Sequence, residues 1–476
     1  MESSFAAVKF VLGKIPVILK TVVFHALRLS PTCHKRTLRT ELIVTILREF
    51  VANAPPSTIT QQQAMFLTDR GVRGSMWVSK TTFPAPPDDL RHLLFKAIRD
   101  LGTGEEEYAK PDLQGVEGEW VGYRAGVKAN TPEPTTLSER DKYENILRDM
   151  NMDITLLYFH GGSYYLMDPV SDRPLMAKYA NLSGGRVFSV RYRLAPQHPF
   201  PAALLDALVA YLSLLYPPPG SFHEPIPASR IVLGGDSAGG NLASALLQTL
   251  LHIHRDVPVG ETPTMTFHGV VVPVPLPGGV ALSSPSMDLT RCMQGSESHA
   301  TWDYLPPPSF SPAQSPPCAI WPSDPPRAEL FCEGSALCHP LVSPLAAPSW
   351  AGSPPMFIVC GQERLTDECK AFAQKAAKNG VRIVWEQYEA MPHCFSQVIE
   401  GSAESEACLA SWAKFVRMVA EKPDEVATRG EFITARTMER RSVDVYSLLD
   451  LSEKEIFECM QRGRQAIVDR FNAWRG

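Results

Sequence analysis

Hydrophobic and polar positions along this chain fall into two alternating rhythms. Short, almost wholly apolar runs stand at Ile154–Phe159, Arg186–Val190, Arg230–Leu233, Val280–Leu282 and Pro355–Cys360, with another at Val381–Tyr388. Runs of that length predict strands buried on both faces. Between and after them, apolar residues recur at helical spacing near Arg173–Leu182, over Ala202–Tyr216 and Asn241–His254, and at about Glu368–Asn379 and Glu404–Ala420. Such alternation predicts an α/β fold with a mostly parallel central sheet and helices on both faces. Met76–Lys80 and Glu119–Arg124 read as antiparallel strands that open the sheet, separated by a helix at about Asp88–Asp100 and the acidic loop Glu105–Glu107.

The two ends read differently from this body. Phe5–Leu29 is strongly apolar, but Lys9, Lys14, Lys20 and Arg28 interrupt it and Pro16 breaks it, so it is a poor membrane span. From Pro16 to Arg28 it predicts an imperfect amphipathic helix, with Lys20, Thr21, His25 and Arg28 on one side. A second N-terminal helix, Arg39–Ala52, stops before Pro55-Pro56. The expected organisation is therefore a helical cap, lid or membrane-surface segment over 1–70, an α/β body over 71–422 and a helical extension over 423–476 carrying the amphipathic helix Lys454–Trp474. Residues 255–278 and 291–350 are proline-rich, and the second stretch reads as an extended insert.

Composition narrows the function classes. A formal net charge of −5 without any lysine–arginine block argues against a nucleic-acid partner. The ten cysteines are scattered without metal-ligand spacing, and His252 and His254, two apart near a helix end, are read as having no acidic or cysteine partner, so no metal and no organic cofactor is expected. Without a cleavable leader the expected location is cytoplasmic or peripheral on an intracellular membrane such as the endoplasmic reticulum, not secreted. Residues 5–29 supply the candidate membrane contact.

The chemistry centres on Gly235-Asp236-Ser237-Ala238-Gly239, placed between an apolar strand and a helix. A Gly-x-Ser-x-Gly corner there describes a nucleophile elbow, although a serine before a helix is also a common cap. A serine nucleophile needs a base and an orienting acid, which in this fold follow it in the order acid, then histidine. His393 lies in the loop Met391–Phe395, and Gly361–Glu368 offers Glu363 and Asp367; all sit at carboxyl ends of strands, where open α/β sheets gather their chemistry. His160-Gly161-Gly162-Ser163 follows an earlier strand and reads as a loop whose N–H groups could stabilise an oxyanion together with that of Ala238. His160 reads as a brace for that loop, and Asp236 as a turn-stabilising carboxylate turned away from substrate.

Together with Tyr192–Pro196, Phe200–Ala203, Leu365–Glu368 and Met391–His393, these motifs recur in one order, and the set resembles the hormone-sensitive-lipase-like esterases, the α/β-hydrolase fold-3 group. More narrowly it resembles the fungal sterol-acetate-deacetylase-like members, over roughly residues 70–420. The resemblance implies Ser237 as nucleophile, His393 as general base, and Gly161, Gly162 and Ala238 as oxyanion donors. It also implies N-terminal helices that cap the site. Three departures stand out: Ser163 where a third glycine is usual, Gln197 where glutamate is common, and Glu363 in place of the triad aspartate, with Asp367 the alternative acid and otherwise the cap of the next helix. Tyr164 and Tyr165 suggest an aromatic-walled pocket or core packing beneath the cap. The expected function is hydrolysis of a small hydrophobic ester, an acetyl or short acyl ester of a sterol-like or secondary-metabolite alcohol, through an acyl-enzyme. Acyl transfer, thioester or lactone release in secondary metabolism are the alternatives. A non-catalytic small-molecule receptor on the same fold is disfavoured because such receptors lack the histidine that is present here as His393.

Overall fold

The computed structural model of the chain describes residues 13–53, 55–69, 71–293, 297–306 and 315–475. Residues 5–12 of the apolar N-terminal stretch, and Pro307 and Pro308 of the proline-rich insert, lie outside it. The apolar runs assemble into a ten-stranded sheet in the order β1 (Met76–Phe83), β2 (Val116–Tyr123), β4 (Arg186–Arg191), β3 (Thr155–Phe159), β5 (Ile231–Asp236), β8 (Gly279–Ser283), β9 (Met356–Gly361), β10 (Ile383–Tyr388), β11 (Arg429–Ile433) and β12 (Arg440–Val443). Strand β2 is antiparallel to both its neighbours and β12 to β11, whereas the other pairings are parallel. Every position of β3, β5, β8, β9 and β10 is buried, as their unbroken apolar runs require.

Helices cover both faces. On one side, Ala202–Leu215 is buried along its whole length and packs with Ala238–Arg255 and Thr366–Lys378 into the larger core. On the other, Pro169–Ser183 and Ala403–Glu421 meet through Tyr179 and Trp412, whose rings stack at 3.9 Å. Helix Pro169–Ser183 begins earlier than its apolar spacing suggests, because Asp168 caps it and Pro169 occupies its first turn.

Several elements escape the apolar pattern. Helices Ile59–Phe66 and Glu139–Asp149 have few apolar positions and are set instead by capping boxes at Thr58 and Ser138. The first proline-rich stretch contains a hairpin, β6 (Thr264–Phe267) with β7 (Val270–Pro273), turned by His268 and Gly269 at φ 49° and 76°. The C-terminal extension is not only helical, since β11 and β12 prolong the sheet beyond β10 before the helix Glu453–Arg475. Among the described residues, 291–350 is irregular apart from a helical turn at Glu297–Ala300 and 3-10 turns at Gly334–Ala336 and Pro344–Ala346.

The N-terminal helices are Ile15–Ala26 and Leu38–Ala52. The first buries no residue, and Ile15, Leu19, Val23, Phe24 and Leu27 are exposed along it. Lys14 pairs with Glu49 at 2.8 Å and His25 bonds Glu41, which tie the two helices together. Among the described residues no helix is long and apolar enough to cross a membrane.

Candidate active site

Ser237 stands at the corner between β5 and helix Ala238–Arg255, with φ 50° and ψ −120°. This backbone region strains any side-chain-bearing residue, at a cost of about 1–3 kcal/mol. The flanking glycines make the corner possible. A Cβ on Gly235 would stand 2.4 Å from the Gly239 carbonyl group, and one on Gly239 would stand 1.9 Å from Phe159 O. The corner is further pinned because Ser237 N donates to Ser283 O at 3.1 Å and Ser237 O accepts from Ser286 N at 3.0 Å.

The loops after β9 and β10 bring the other two residues to this corner. Ser237 Oγ lies 3.0 Å from His393 Nε2, and His393 Nδ1 lies 2.7 Å from Glu363 Oε2. Glu363 is fully buried, its Oε1 accepting from Gly361 N at 3.3 Å, and His393 is 5% exposed. Burial alone pushes the imidazole toward neutrality, but the carboxylates of Glu363, Asp303 and Asp236 outweigh it and raise the His393 pKa above its ordinary value. Asp367 lies in the first turn of helix Thr366–Lys378 and makes no hydrogen bond to His393. Nor does it cap that helix: the cap position is Leu365, without a side-chain bond, so Asp367 instead adds negative charge to the helix N-terminus.

The oxyanion loop corrects one expectation. Gly161 N donates to Asp236 Oδ1 at 3.1 Å, so this N–H is spent inside the protein and Gly161 does not line the cavity. Asp236 also accepts from Tyr158 OH at 2.6 Å, so it holds the turn as expected, but it is not turned wholly away, since the residue contributes to the cavity wall. Among the described residues, the N–H groups of Gly162, Ser163 and Ala238 have no protein acceptor, and all three residues stand on the cavity wall. Ser163, at φ 54°, occupies a left-handed position that a glycine would hold without strain. Ser163 stands where the family pattern usually has its third glycine. His160 is buried, stacks on Tyr192 at 4.2 Å and accepts no cavity role; burial pushes its pKa down to about 4.

A cavity of about 960 Å³ opens from Ser237 and His393. Tyr164 and Tyr165 both line it. Tyr164 serves packing as well, stacked on Phe331 at 3.7 Å with its hydroxyl donating to Asn241 at 2.6 Å. Tyr165 reaches Gln62 at 3.1 Å. More of the wall comes from Ser286, 288–292, 304–306, 329–331 and, unforeseen, from Gly463, Ala466 and Arg470 of the C-terminal helix. That helix fits closely because Gly463 has no side chain: a Cβ there would stand 2.8 Å from Thr290 O. Among the described residues, 13–69 contribute nothing to the lining and instead brace the loops behind it. Gln63 of helix Ile59–Phe66 donates to Tyr165 O and Ala195 O at 3.0 Å and exchanges amide bonds with Gln197 at 2.8 and 3.2 Å. Gln197 can both donate and accept there, which a glutamate could not.

His252, read from the sequence as lacking an acidic partner, bonds Asp100 Oδ2 at 3.1 Å. Asp100, His252 and Asp256 cluster at the surface, but the Lys96 ammonium already sits between the two carboxylates at 2.6 and 2.7 Å.

Residues 156–397 match a family model described as alpha/beta hydrolase fold. The chain is 35% identical over 241 residues to an acetyl-hydrolase of Streptomyces hygroscopicus, covering 50% of this chain and 67% of that protein. It is 28% identical over 261 residues to an esterase of Acinetobacter venetianus, covering 55% of this chain and 73% of that one. Among solved structures, an esterase from the bacterial hormone-sensitive lipase family superposes with a TM-score of 0.52 at 22% identity, covering 81% of this chain and 99% of that one.

Proposed function

The chain belongs to the α/β-hydrolase family, as an esterase of the hormone-sensitive-lipase-like kind, and from that premise we propose that Ser237, His393 and Glu363 hydrolyse a short-acyl ester of a bulky apolar alcohol through an acyl-enzyme. The observation that carries this reading is the continuous relay from Glu363 Oε2 to His393 Nδ1 at 2.7 Å and from His393 Nε2 to Ser237 Oγ at 3.0 Å, opening on one large cavity.

His393 accepts the Ser237 proton as Oγ attacks the ester carbonyl carbon. Glu363 holds the tautomer with Nδ1 protonated and stabilises the imidazolium that forms. The negative oxygen of the tetrahedral intermediate sits against the N–H groups of Gly162, Ser163 and Ala238, each worth about 2.7–4 kcal/mol by the behaviour of such donors elsewhere. His393 then protonates the departing alcohol. Water, deprotonated by the same imidazole, hydrolyses the acyl-enzyme and restores Ser237. None of these steps requires a metal or an organic cofactor.

The cavity volume, about 960 Å³, stands at the upper end of the range for small-molecule sites and supports a large alcohol such as a sterol or a polycyclic metabolite. The name of the acetyl-hydrolase relative supports a short acyl group. The exposed row Leu19, Val23 and Leu27, with Lys20 beside it, supports contact of the first N-terminal helix with a membrane surface, where apolar esters partition. The deciding experiment is a chain-length series of p-nitrophenyl esters, with steryl acetate alongside, for wild type and Ser237→Ala. Preference for acetate, turnover of the steryl ester and an inert alanine variant are expected. Full turnover by Ser237→Ala would overturn the mechanism.

A further inference from the structure

We propose that Asp303 is a positioning residue that sets the geometry of the Glu363–His393 pair, and that Arg36 and Arg48 of the N-terminal helical segment hold it in place. The inference rests on the catalytic reading above and adds to it a residue and a chain segment that this reading does not use.

Asp303 is fully buried, and among the described residues its carboxylate bonds only backbone. Oδ1 accepts from His393 N at 3.1 Å, Tyr304 N at 2.8 Å and Leu305 N at 3.3 Å, while Oδ2 accepts from Arg364 N at 2.8 Å. Two of these donors decide the matter. One belongs to the histidine itself, the other to the residue that follows Glu363. A single carboxylate therefore spans the loop after β9 and the loop after β10, fixing the two backbones whose side chains must meet at 2.7 Å. It also places negative charge near the imidazole. The charged groups facing His393 are Glu363 from the acid loop, Asp303 from the proline-rich insert and Asp236 from the elbow, with the Tyr304 ring 6.2 Å away.

The segment that carries Asp303 has little regular structure of its own, and the N-terminal helices clamp it. Arg48 Nε donates to Asp303 O at 3.0 Å, and Arg48 Nη2 reaches Ala300 O at 3.0 Å and Thr301 O at 3.2 Å. Arg36, 2% exposed, donates to Trp302 O, and its Nε donates to Ala390 O at 2.7 Å, two residues before Pro392-His393. Its guanidinium lies 5.5 Å from the Trp302 ring. These bonds run from helix Leu38–Ala52 and the residues before it, through 300–303, to the backbone N–H of His393. They give the N-terminal segment a catalytic consequence although it does not reach the cavity.

The test compares Asp303→Asn, Arg48→Gln and Arg48→Lys with wild type, counting active sites by covalent titration with a fluorophosphonate and following p-nitrophenyl acetate. Displacing a catalytic group by about 1 Å costs about 100-fold in rate, so Asp303→Asn is expected to lose kcat per titrated site on that order with KM little changed. Its acid limb of kcat/KM should also move to lower pH, because a carboxylate that favours the imidazolium is gone. Arg48→Gln should lose about 10-fold in kcat per titrated site, and Arg48→Lys should recover part of it. A merely structural role would lower the number of titratable sites and leave kcat per site and the pH profile alone; that result would overturn the proposal. If Asp303→Asn yields no titratable sites, the two Arg48 variants decide, and wild-type kcat per site in Arg48→Gln would overturn it. An inert Ser237→Ala beside an unaffected Asp303→Asn would defeat this inference and leave the esterase mechanism standing.

Discussion

Gly161 donates its N–H to Asp236 Oδ1 at 3.1 Å, so the residue preceding the nucleophile is the anchor of the oxyanion loop. A Cβ on Gly161 would stand 2.3 Å from Asp236 Oδ2, closer than any atom pair tolerates. Gly161→Ala must therefore push the loop away from β5 and carry the Gly162 and Ser163 N–H groups with it. Loss of about 10²–10³ in kcat is expected, with KM nearly unchanged, as for removal of an oxyanion donor. Steady-state kinetics on p-nitrophenyl acetate would check it, and a variant with wild-type kcat would return Gly161 to the wall of the site.

The pH dependence follows from the imidazole. His393 must be neutral to take the Ser237 proton, and its pKa is raised because Glu363, Asp303 and Asp236 outweigh burial. Activity should therefore rise with pH through a midpoint above the ordinary histidine value of about 6.5. Glu363→Gln removes the strongest of those charges while burial remains, so the midpoint should fall. The same change should cost about 10⁴ in kcat, because the amide no longer fixes the productive tautomer. Asp367→Asn, which touches neither partner, should leave both kcat and midpoint unaltered. A kcat/KM profile for the three proteins reads both effects at once.

What the sequence made legible was whatever rests on local apolar rhythm or on residues adjacent in the chain. Buried strands β3, β5, β8, β9 and β10 announce themselves, as does the elbow around Ser237. Glu363 and His393 could be placed because each follows such a strand. Strand β11 was not legible: only its second and last residues are buried, and its place is set by the free edge of β10 rather than by its own pattern. Asp303 and Ala466 were hidden for a different reason. Each reaches the site from a segment remote in sequence, and nothing local to either distinguishes it from a surface residue. Gly161 failed by one position, because the glycine that an acceptor has already satisfied looks the same in sequence as the one left free.

The wall formed by the C-terminal helix gives a prediction about selectivity. Ala466 lines the cavity from a helix that packs on Thr290 through Gly463, so a larger side chain at 466 takes up cavity space. Ala466→Trp should fill space that a bulky alcohol would use. A loss of about 1.4 kcal/mol in binding is tenfold, so a rise in KM of at least about tenfold is expected for a steryl acetate. The small ester p-nitrophenyl acetate should be turned over as before. Equal effects on both substrates would mean that the alcohol does not extend toward this helix.

Gln197 supplies a prediction about stability rather than rate. Its amide donates to Gln63 Oε1 at 2.8 Å and accepts from Gln63 Nε2 at 3.2 Å, closing a reciprocal pair between helix Ile59–Phe66 and the body. In Gln197→Glu the donor disappears, and an ionised oxygen faces the Gln63 carbonyl oxygen. Gln63 cannot flip to accommodate it without giving up its bonds to Tyr165 O and Ala195 O, both at 3.0 Å. The unmade bond should lower stability by about 1–3 kcal/mol at neutral pH. Below the ordinary glutamate pKa of about 4.3 the side chain is protonated, can donate again, and should recover much of that loss. The sign is therefore opposite to that of a salt-bridged carboxylate, whose contribution disappears on acidification. Urea melts of wild type and Gln197→Glu at pH 7 and pH 4 measure the difference directly, and a variant as stable as wild type at both pH values would show that the amide pair carries no part of the attachment of this helix.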